Sequence, residues 1–216
     1  MCQTAALSLL FGLSIRSLSQ YLSALGLHGN TLVMQSFELL SPLIDRSTKV
    51  SENEMYKTTD YLRNGVLYLN NLLRPQHKKL STLMIYSTTK CQSRCKHCSI
   101  WQKPEEHLSL RDIRKIMASR CITKNTVVGL EGGEFILHPE STAIMEWFMR
   151  HHPNYTLLSN CLNPQKVIDA VRRYNPRHLY VSLDGDRDTY KVMRGCNGHD
   201  KVIEVVEALK DEVPIS

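Results

Sequence analysis

The stretch Leu83-Met84-Ile85-Tyr86-Ser87-Thr88-Thr89-Lys90-Cys91-Gln92-Ser93-Arg94-Cys95-Lys96-His97-Cys98 decides how this chain reads. Its first part, Leu83–Ser87, has the length and apolar character of a buried strand. Its second part carries three cysteines in a C-x-x-x-C-x-x-C spacing. Thiolate is the usual ligand of iron–sulfur clusters, most of which take four cysteines. Three close-spaced cysteines with no fourth nearby predict a cubane with one iron open to substrate or cofactor. The alternative on the same residues is a structural zinc completed by His97 or His107, although the paired C-x-x-C knuckles common in such sites are missing.

Downstream, the strand–loop–helix pattern repeats. Further strands are predicted at Val127–Glu131, Tyr155–Ser159 and Leu179–Asp184, all short and rich in buried-strand residues. Helices are predicted between them. Ser109-Leu110-Arg111-Asp112 resembles a capping box opening a helix to about Ala118. Proline marks two further starts, at His138-Pro139-Glu140 and at Asn163-Pro164. A last helix covers about Lys201–Leu209, apolar at Val202, Val205, Val206 and Leu209. About four successive βα units predict an α/β fold, a partial (β/α) barrel of parallel strands with helices outside. In such folds the chemistry sits at the carboxyl ends of the strands. The cysteines follow the first strand, Gly132-Gly133-Glu134 the second, Ser159-Asn160 the third, and Ser182-Leu183-Asp184-Gly185 the fourth. Every candidate motif therefore falls on one rim.

The cysteine loop, with Glu131-Gly132-Gly133-Glu134-Phe135 one strand later, resembles the radical S-adenosylmethionine (SAM) superfamily. The resemblance covers about residues 81–216. It implies a [4Fe–4S] cluster on Cys91, Cys95 and Cys98, with SAM as cofactor. It also implies that Gly132, Gly133 and Glu134 form the motif that contacts the SAM amino group. Phe135 departs from the proline common there, and Leu137-His138-Pro139 restores the downstream pattern. Val181-Ser182-Leu183-Asp184-Gly185 through Met193-Arg194-Gly195 is similar to the SPASM, peptide-maturing or cofactor-precursor subgroup. By that likeness Ser182 lies near the SAM ribose and Arg194 near its carboxylate, with Asp184 beside them. An arginine suits a carboxylate because its planar fork pairs bidentately; the plain alternative is a surface arginine before a glycine turn. Ser159 and Asn160 stand where relatives have Thr-Asn-Gly, with Cys161 in place of the glycine. His97 occupies a position whose backbone meets adenine in relatives. Trp101 is read as packing beside the cluster, in the core or as a lid. No residue is assigned as catalytic acid or base.

Residues 1–80 are predicted to be a helical N-terminal region, with Leu18, Leu22 and Leu25 on one helical face closed by Gly26 and Gly29-Asn30, and further helices near Leu32–Leu43 and Glu54–Leu73. The last has apolar positions at Tyr61, Leu62, Leu69, Leu72 and Leu73. The run Ala5–Ile15 lacks a basic start and is too short to span a bilayer, so a buried amphipathic helix is expected. The 216 residues carry a net charge of +6. Without a basic run or basic–aromatic face, nucleic-acid binding is not supported. Seven cysteines, an odd number, speak against a disulfide framework and for a reducing, cytoplasmic compartment. His151-His152 at a helix end reads as surface, and Cys121, Cys161 and Cys196 as packing residues.

The family resemblance implies an enzyme that generates a 5′-deoxyadenosyl radical, fed by a flavodoxin- or ferredoxin-like electron donor. A peptide substrate is favoured, with a lipid or small metabolite left open. The chain reaches Val213-Pro214-Ile215-Ser216, which reads as the start of a fifth strand, so a fragment of a longer protein is expected. An iron–sulfur or zinc interaction module without turnover is the alternative.

Overall fold

The computed structural model describes residues 58–216. The expectations for helices and the apolar run before residue 58 lie outside the described residues. The chain divides into two compact units, Met1–Gly65 and Val66–Ser216. Among the described residues, one sheet holds four strands in sequential order: β1 (Thr82–Tyr86), β2 (Val127–Glu131), β3 (Tyr155–Ser159) and β4 (His178–Val181). Every pairing is parallel, with Ile85 beside Leu130, Leu130 beside Leu157, and Leu157 beside Leu179. The helices are α1 (Thr58–Leu73), α2 (Leu110–Met117), α3 (Ser141–His151), α4 (Pro164–Tyr174), α5 (Arg187–Arg194) and α6 (His199–Leu209).

One face of the sheet is sealed by helices. Val128, Leu130, Tyr155, Leu157 and Leu179 are fully buried and share one core with Ile113 of α2, Phe148 of α3, Val171 of α4 and Val205 of α6. Strand residues alternate in direction, so their neighbours belong to the other face. That face carries Met84 and Tyr86, Gly129 and Glu131, Thr156 and Leu158, His178 and Tyr180. Met84 and Tyr86 are exposed there at 49% and 62%.

Local chemistry explains most boundaries. The Ser109 hydroxyl accepts from the Asp112 N–H and so caps α2. Pro164 opens α4 in its first turn. The helix at Pro139 starts later than expected, at Ser141, because the Glu140 N–H donates to His138 Nδ1 at 2.9 Å. Strand β4 ends three residues earlier than the sequence indicates, at Val181. Beyond Val181 the chain keeps one more bond to β3, from Ser182 N–H to Ser159 O, and then turns at Gly185 with φ +87°.

Helix α5 has no counterpart among the helices expected from sequence. Its signals are present, with an Asp186 side chain capping Thr189 N–H and Gly195 left-handed at the other end. Of its residues only Tyr190 is buried, so it lacks the apolar period that marks a helix in sequence. In α1 the apolar positions Tyr61, Leu72 and Leu73 are exposed at 67%, 65% and 66%. His152 is also corrected: it is buried, with its ring 2.7 Å from the Thr126 carbonyl, while His151 stays at the surface stacked on Trp147. The final residues run parallel to β4, with Leu179 N–H on Pro214 O and Val181 N–H on Ser216 O.

Candidate functional site

The cysteine loop leaves β1 and returns through a short antiparallel closure. Thr88 bridges His107, Thr89 N–H donates to Glu106 O, and Leu108 N–H donates to Ser87 O. These contacts close the neck of the loop that carries Cys91, Cys95 and Cys98 beyond the end of β1. His107, a zinc-ligand alternative in the sequence, is used in this neck instead. Its Nδ1 faces Thr88 Oγ1 at 2.8 Å and its Nε2 faces Glu105 at 3.1 Å.

Two other rim segments seat the loop through backbone atoms. Gly133 N–H donates to Thr88 O at 2.7 Å and Glu134 N–H to Lys90 O at 2.8 Å. This approach requires glycine. A Cβ on Gly132 would lie 2.5 Å from Thr88 O, and one on Gly133 would overlap Lys90 O and lie 2.7 Å from Thr89 O. From the other side, the end of α5 supplies carbonyls: Arg94 N–H donates to Arg194 O and Lys96 N–H to Met193 O. Those carbonyls are among the last of the helix, which have no partner inside it. Gly195, at φ +67°, then passes within 2.8 Å of Arg94 O, measured from where a Cβ would stand. Trp101 completes the seating, its Nε1–H donating to Cys98 O at 2.9 Å while Arg94 lies over its ring.

Glu134 sits at the rim, but its carboxylate turns inward and is buried at 3% exposure. It accepts from Ser159 Oγ–H at 2.9 Å, Asn160 N–H at 2.7 Å and Ile136 N–H at 3.4 Å. Burial pushes this carboxyl above its ordinary range, against the lowering by those donors. The Glu134 side chain thereby braces the ends of β2 and β3. Ser159 and Asn160 are engaged in the same way. Ser159 Oγ also accepts from Cys161 N–H at 3.0 Å. Asn160 Nδ2 donates to Ser93 Oγ at 3.2 Å and reaches Cys91 Sγ at 3.8 Å, while its Oδ1 accepts from Leu162 N–H at 3.1 Å. Cys161 keeps the left-handed backbone of the glycine it replaces, at φ +57°, and is fully buried.

Arg194 is not a surface residue. Its side chain is 14% exposed, with Nε 2.5 Å from Asp184 Oδ2 and Nη1 3.7 Å from Cys95 Sγ. The pair is a close ionic contact rather than an aligned hydrogen bond, since neither atom meets hydrogen-bond geometry. Asp184 and Cys95 hold the guanidinium above its ordinary pKa, against the desolvation that opposes its charge. Ser182 is half-buried just beyond β4, its N–H on Ser159 O. His97 is exposed on the outer side of the loop. It lines an open cavity of about 450 Å³ with Arg94, Lys96, Cys98 and Trp101.

The donor set fits an iron–sulfur group. Asn160 Nδ2 and Arg194 Nη1 aim N–H donors at Cys91 and Cys95, as suits thiolate ligands of an anionic cluster. Among the described residues no three His, Cys, Asp or Glu side chains, these cysteines included, already stand as ligands around a single ion.

Comparison with protein families matches the radical SAM superfamily over residues 85–216. Among solved structures, Streptococcus suis SuiB is similar in fold. The form without a named ligand gives a TM-score of 0.54 at 15% identity, covering 85% of this chain and 44% of that one. SuiB bound to precursor peptide SuiA gives 0.53 at 15% identity, covering 87% and 46%. SuiB bound to S-adenosylmethionine gives 0.52 at 14% identity, covering 85% and 44%. The chain thus spans less than half the length of these structures. Comparison with curated proteins gives no match.

Proposed function

The chain belongs to the radical SAM superfamily, and from that premise we propose that it is the core of an enzyme using a [4Fe–4S] cluster and SAM. Cys91, Cys95 and Cys98 would hold the cluster. When bound, the two cofactors supply one-electron cleavage of the sulfonium and the 5′-deoxyadenosyl radical that takes hydrogen from substrate.

The protein's own residues supply position. Gly132 and Gly133 bring backbone against the loop and would offer main-chain oxygens to the SAM amino group. Glu134, Ser159 and Asn160 fix that turn to the end of β3 and hold Cys91 through the Asn160 amide. Arg194 places a positive charge beside Cys95, suited to the SAM carboxylate, and Asp184 keeps its guanidinium in place. Ser182 offers a hydroxyl for the ribose, and the His97 backbone lies where adenine is met in relatives. The observation that carries this reading is the seating of one cysteine loop by the Gly132-Gly133 turn and the α5 end together.

A peptide is the substrate class proposed. The Val181–Gly185 resemblance supports it, as does the fold shared with SuiB, which is seen with a precursor peptide. Arg94, Lys96 and His97 line one cavity with exposed Cys98, a basic surface suited to an acidic flavodoxin- or ferredoxin-like donor. No described helix is long and apolar enough to cross a membrane. A cytoplasmic location is proposed on the seven cysteines.

The test is anaerobic reconstitution with iron and sulfide, then addition of reductant and SAM and chromatography for 5′-deoxyadenosine. Product that disappears in the Cys91→Ala/Cys95→Ala/Cys98→Ala variant supports the proposal. An iron-loaded chain without product would mean that this span binds the cluster but does not turn over. A colourless chain holding zinc would refute it.

A further inference from the structure

The face of the sheet away from the helices holds a feature that the cofactor site does not use. Tyr86 and Glu131 are register partners on β1 and β2, side by side on the face away from the helices. The Tyr86 phenol interacts electrostatically with the Glu131 carboxylate and lies within electrostatic reach of Cys98. Glu131 foremost, then burial, raises the phenol's pKa. Among the ten strand residues on this face Glu131 is the acid, and no described lysine or arginine forms an ion pair with it.

The surroundings are soft and apolar. Gly129, in mid-strand directly before the Glu131 row, has no side chain, and the Met84 thioether lies over it. A Cβ at Gly129 would overlap the Met84 sulfur and stand 3.3 Å from Glu131 Oε1. Glycine inside a strand commonly marks a close approach by a ligand or another chain. A thioether is the apolar side chain that repacks most readily around a guest. Leu158 lies in the next strand on the same face and in the same row as Glu131. A half-buried carboxylate on such a floor is electrostatically complementary to a cation that brings its own hydrocarbon stem.

We propose that Glu131, oriented by Tyr86, recognises a cationic group of the substrate, an ammonium or guanidinium whose hydrocarbon stem lies along Met84 and Leu158. The assignment rests on the radical SAM reading only in naming the ligand a substrate: the row lies directly below the cysteine loop, where a radical would meet it. Tyr86 is a positioning residue here, since its hydroxyl acts through the carboxylate.

The test needs neither cluster nor SAM, so it stands apart from the 5′-deoxyadenosine assay. The chain is labelled with 13C at its methionine methyl groups, and the Met84 signal is assigned by its loss in Met84→Leu. It is titrated with n-hexylammonium and, separately, 1-hexanol. The ammonium should move the Met84 methyl at least ~10-fold more tightly than the alcohol, the difference a charge-assisted hydrogen bond supplies. Glu131→Gln should remove that preference, and Tyr86→Phe should weaken it less. Glu131→Lys should exchange it for a preference for hexanoate. Unchanged signals from the other methionines show that each variant is folded. Equal response to ammonium and alcohol, no response to either, or a preference that survives Glu131→Gln would overturn the proposal.

Discussion

Replacing Gly133 with alanine tests whether the glycine turn after β2 exists to seat the cysteine loop. The added Cβ would overlap Lys90 O and stand 2.7 Å from both Lys90 C and Thr89 O, all backbone atoms that cannot rotate away. The turn must retreat, which strains or breaks the bonds from Gly133 N–H to Thr88 O and from Glu134 N–H to Lys90 O. Two backbone hydrogen bonds are worth about 1 kcal/mol each, and overpacking costs about 1–3 kcal/mol. The expected loss is therefore about 3–5 kcal/mol, a large part of the ~5–15 kcal/mol that holds a domain together. The assay is urea denaturation of the metal-free chain followed by circular dichroism, with chelator-driven iron release from the loaded chain as a second readout. Gly65→Ala is the counterpart, since a Cβ there meets nothing within 4 Å and the site is helical. It should be neutral or stabilising by up to ~1 kcal/mol. If Gly133→Ala stays within ~1 kcal/mol of the parent and keeps its iron as long, the seating argument is wrong.

Three further outcomes follow from the same geometry. His138 is fixed as one neutral tautomer, its Nδ1 accepting from Glu140 N–H and its Nε2–H donating to Leu108 O. Burial first, and then the neighbouring His107, lowers its pKa below 6.5, so the unfolded chain takes up the proton before the folded one. Stability from this ring is complete above about pH 6.5 and declines as pH falls through the folded value; urea midpoints for His138→Gln should therefore vary less between pH 7 and 5 than the parent's. Alkylation of the metal-free chain, read by mass spectrometry, should mark exposed Cys98 and Cys121 first. Cys161, fully buried and with its thiol pushed up to about 12, should react only on unfolding; early labelling of Cys161 would contradict its placement. Trp101→Phe keeps the ring but loses the Nε1–H bond to Cys98 O, a loss of about 1 kcal/mol. Iron release to chelator should quicken several-fold, and an unchanged rate would show that Trp101 does not hold the loop.

Much of the arrangement is legible in the amino-acid sequence. β2 and β3 are found at the residues read from it, and β1 is displaced by one. Buried parallel strands leave short apolar runs, and their helices leave caps such as Ser109 and Pro164. The rim is legible because motifs follow strands in order. Helix α5 is not, because it buries only Tyr190, and its value to the fold lies in two carbonyls given to the cysteine loop. Nor is the inward turn of Glu134, since a carboxylate after Gly-Gly reads the same whether it faces solvent or the Ser159–Asn160 corner.

The family, the strand–helix order and the three thiols are written in the linear chain, because periodicity, caps and ligand spacing are properties of chain neighbours. Which atoms meet across the rim is settled only in the folded molecule: Arg194 with Asp184 and Cys95, Glu134 with Ser159 and Asn160, Tyr86 with Glu131. Except for Arg194 with Asp184, those contacts join residues from different βα units, and Arg194 and Cys95 lie 99 positions apart. Their meeting depends on the register of parallel strands and on where each helix ends, which no local pattern encodes.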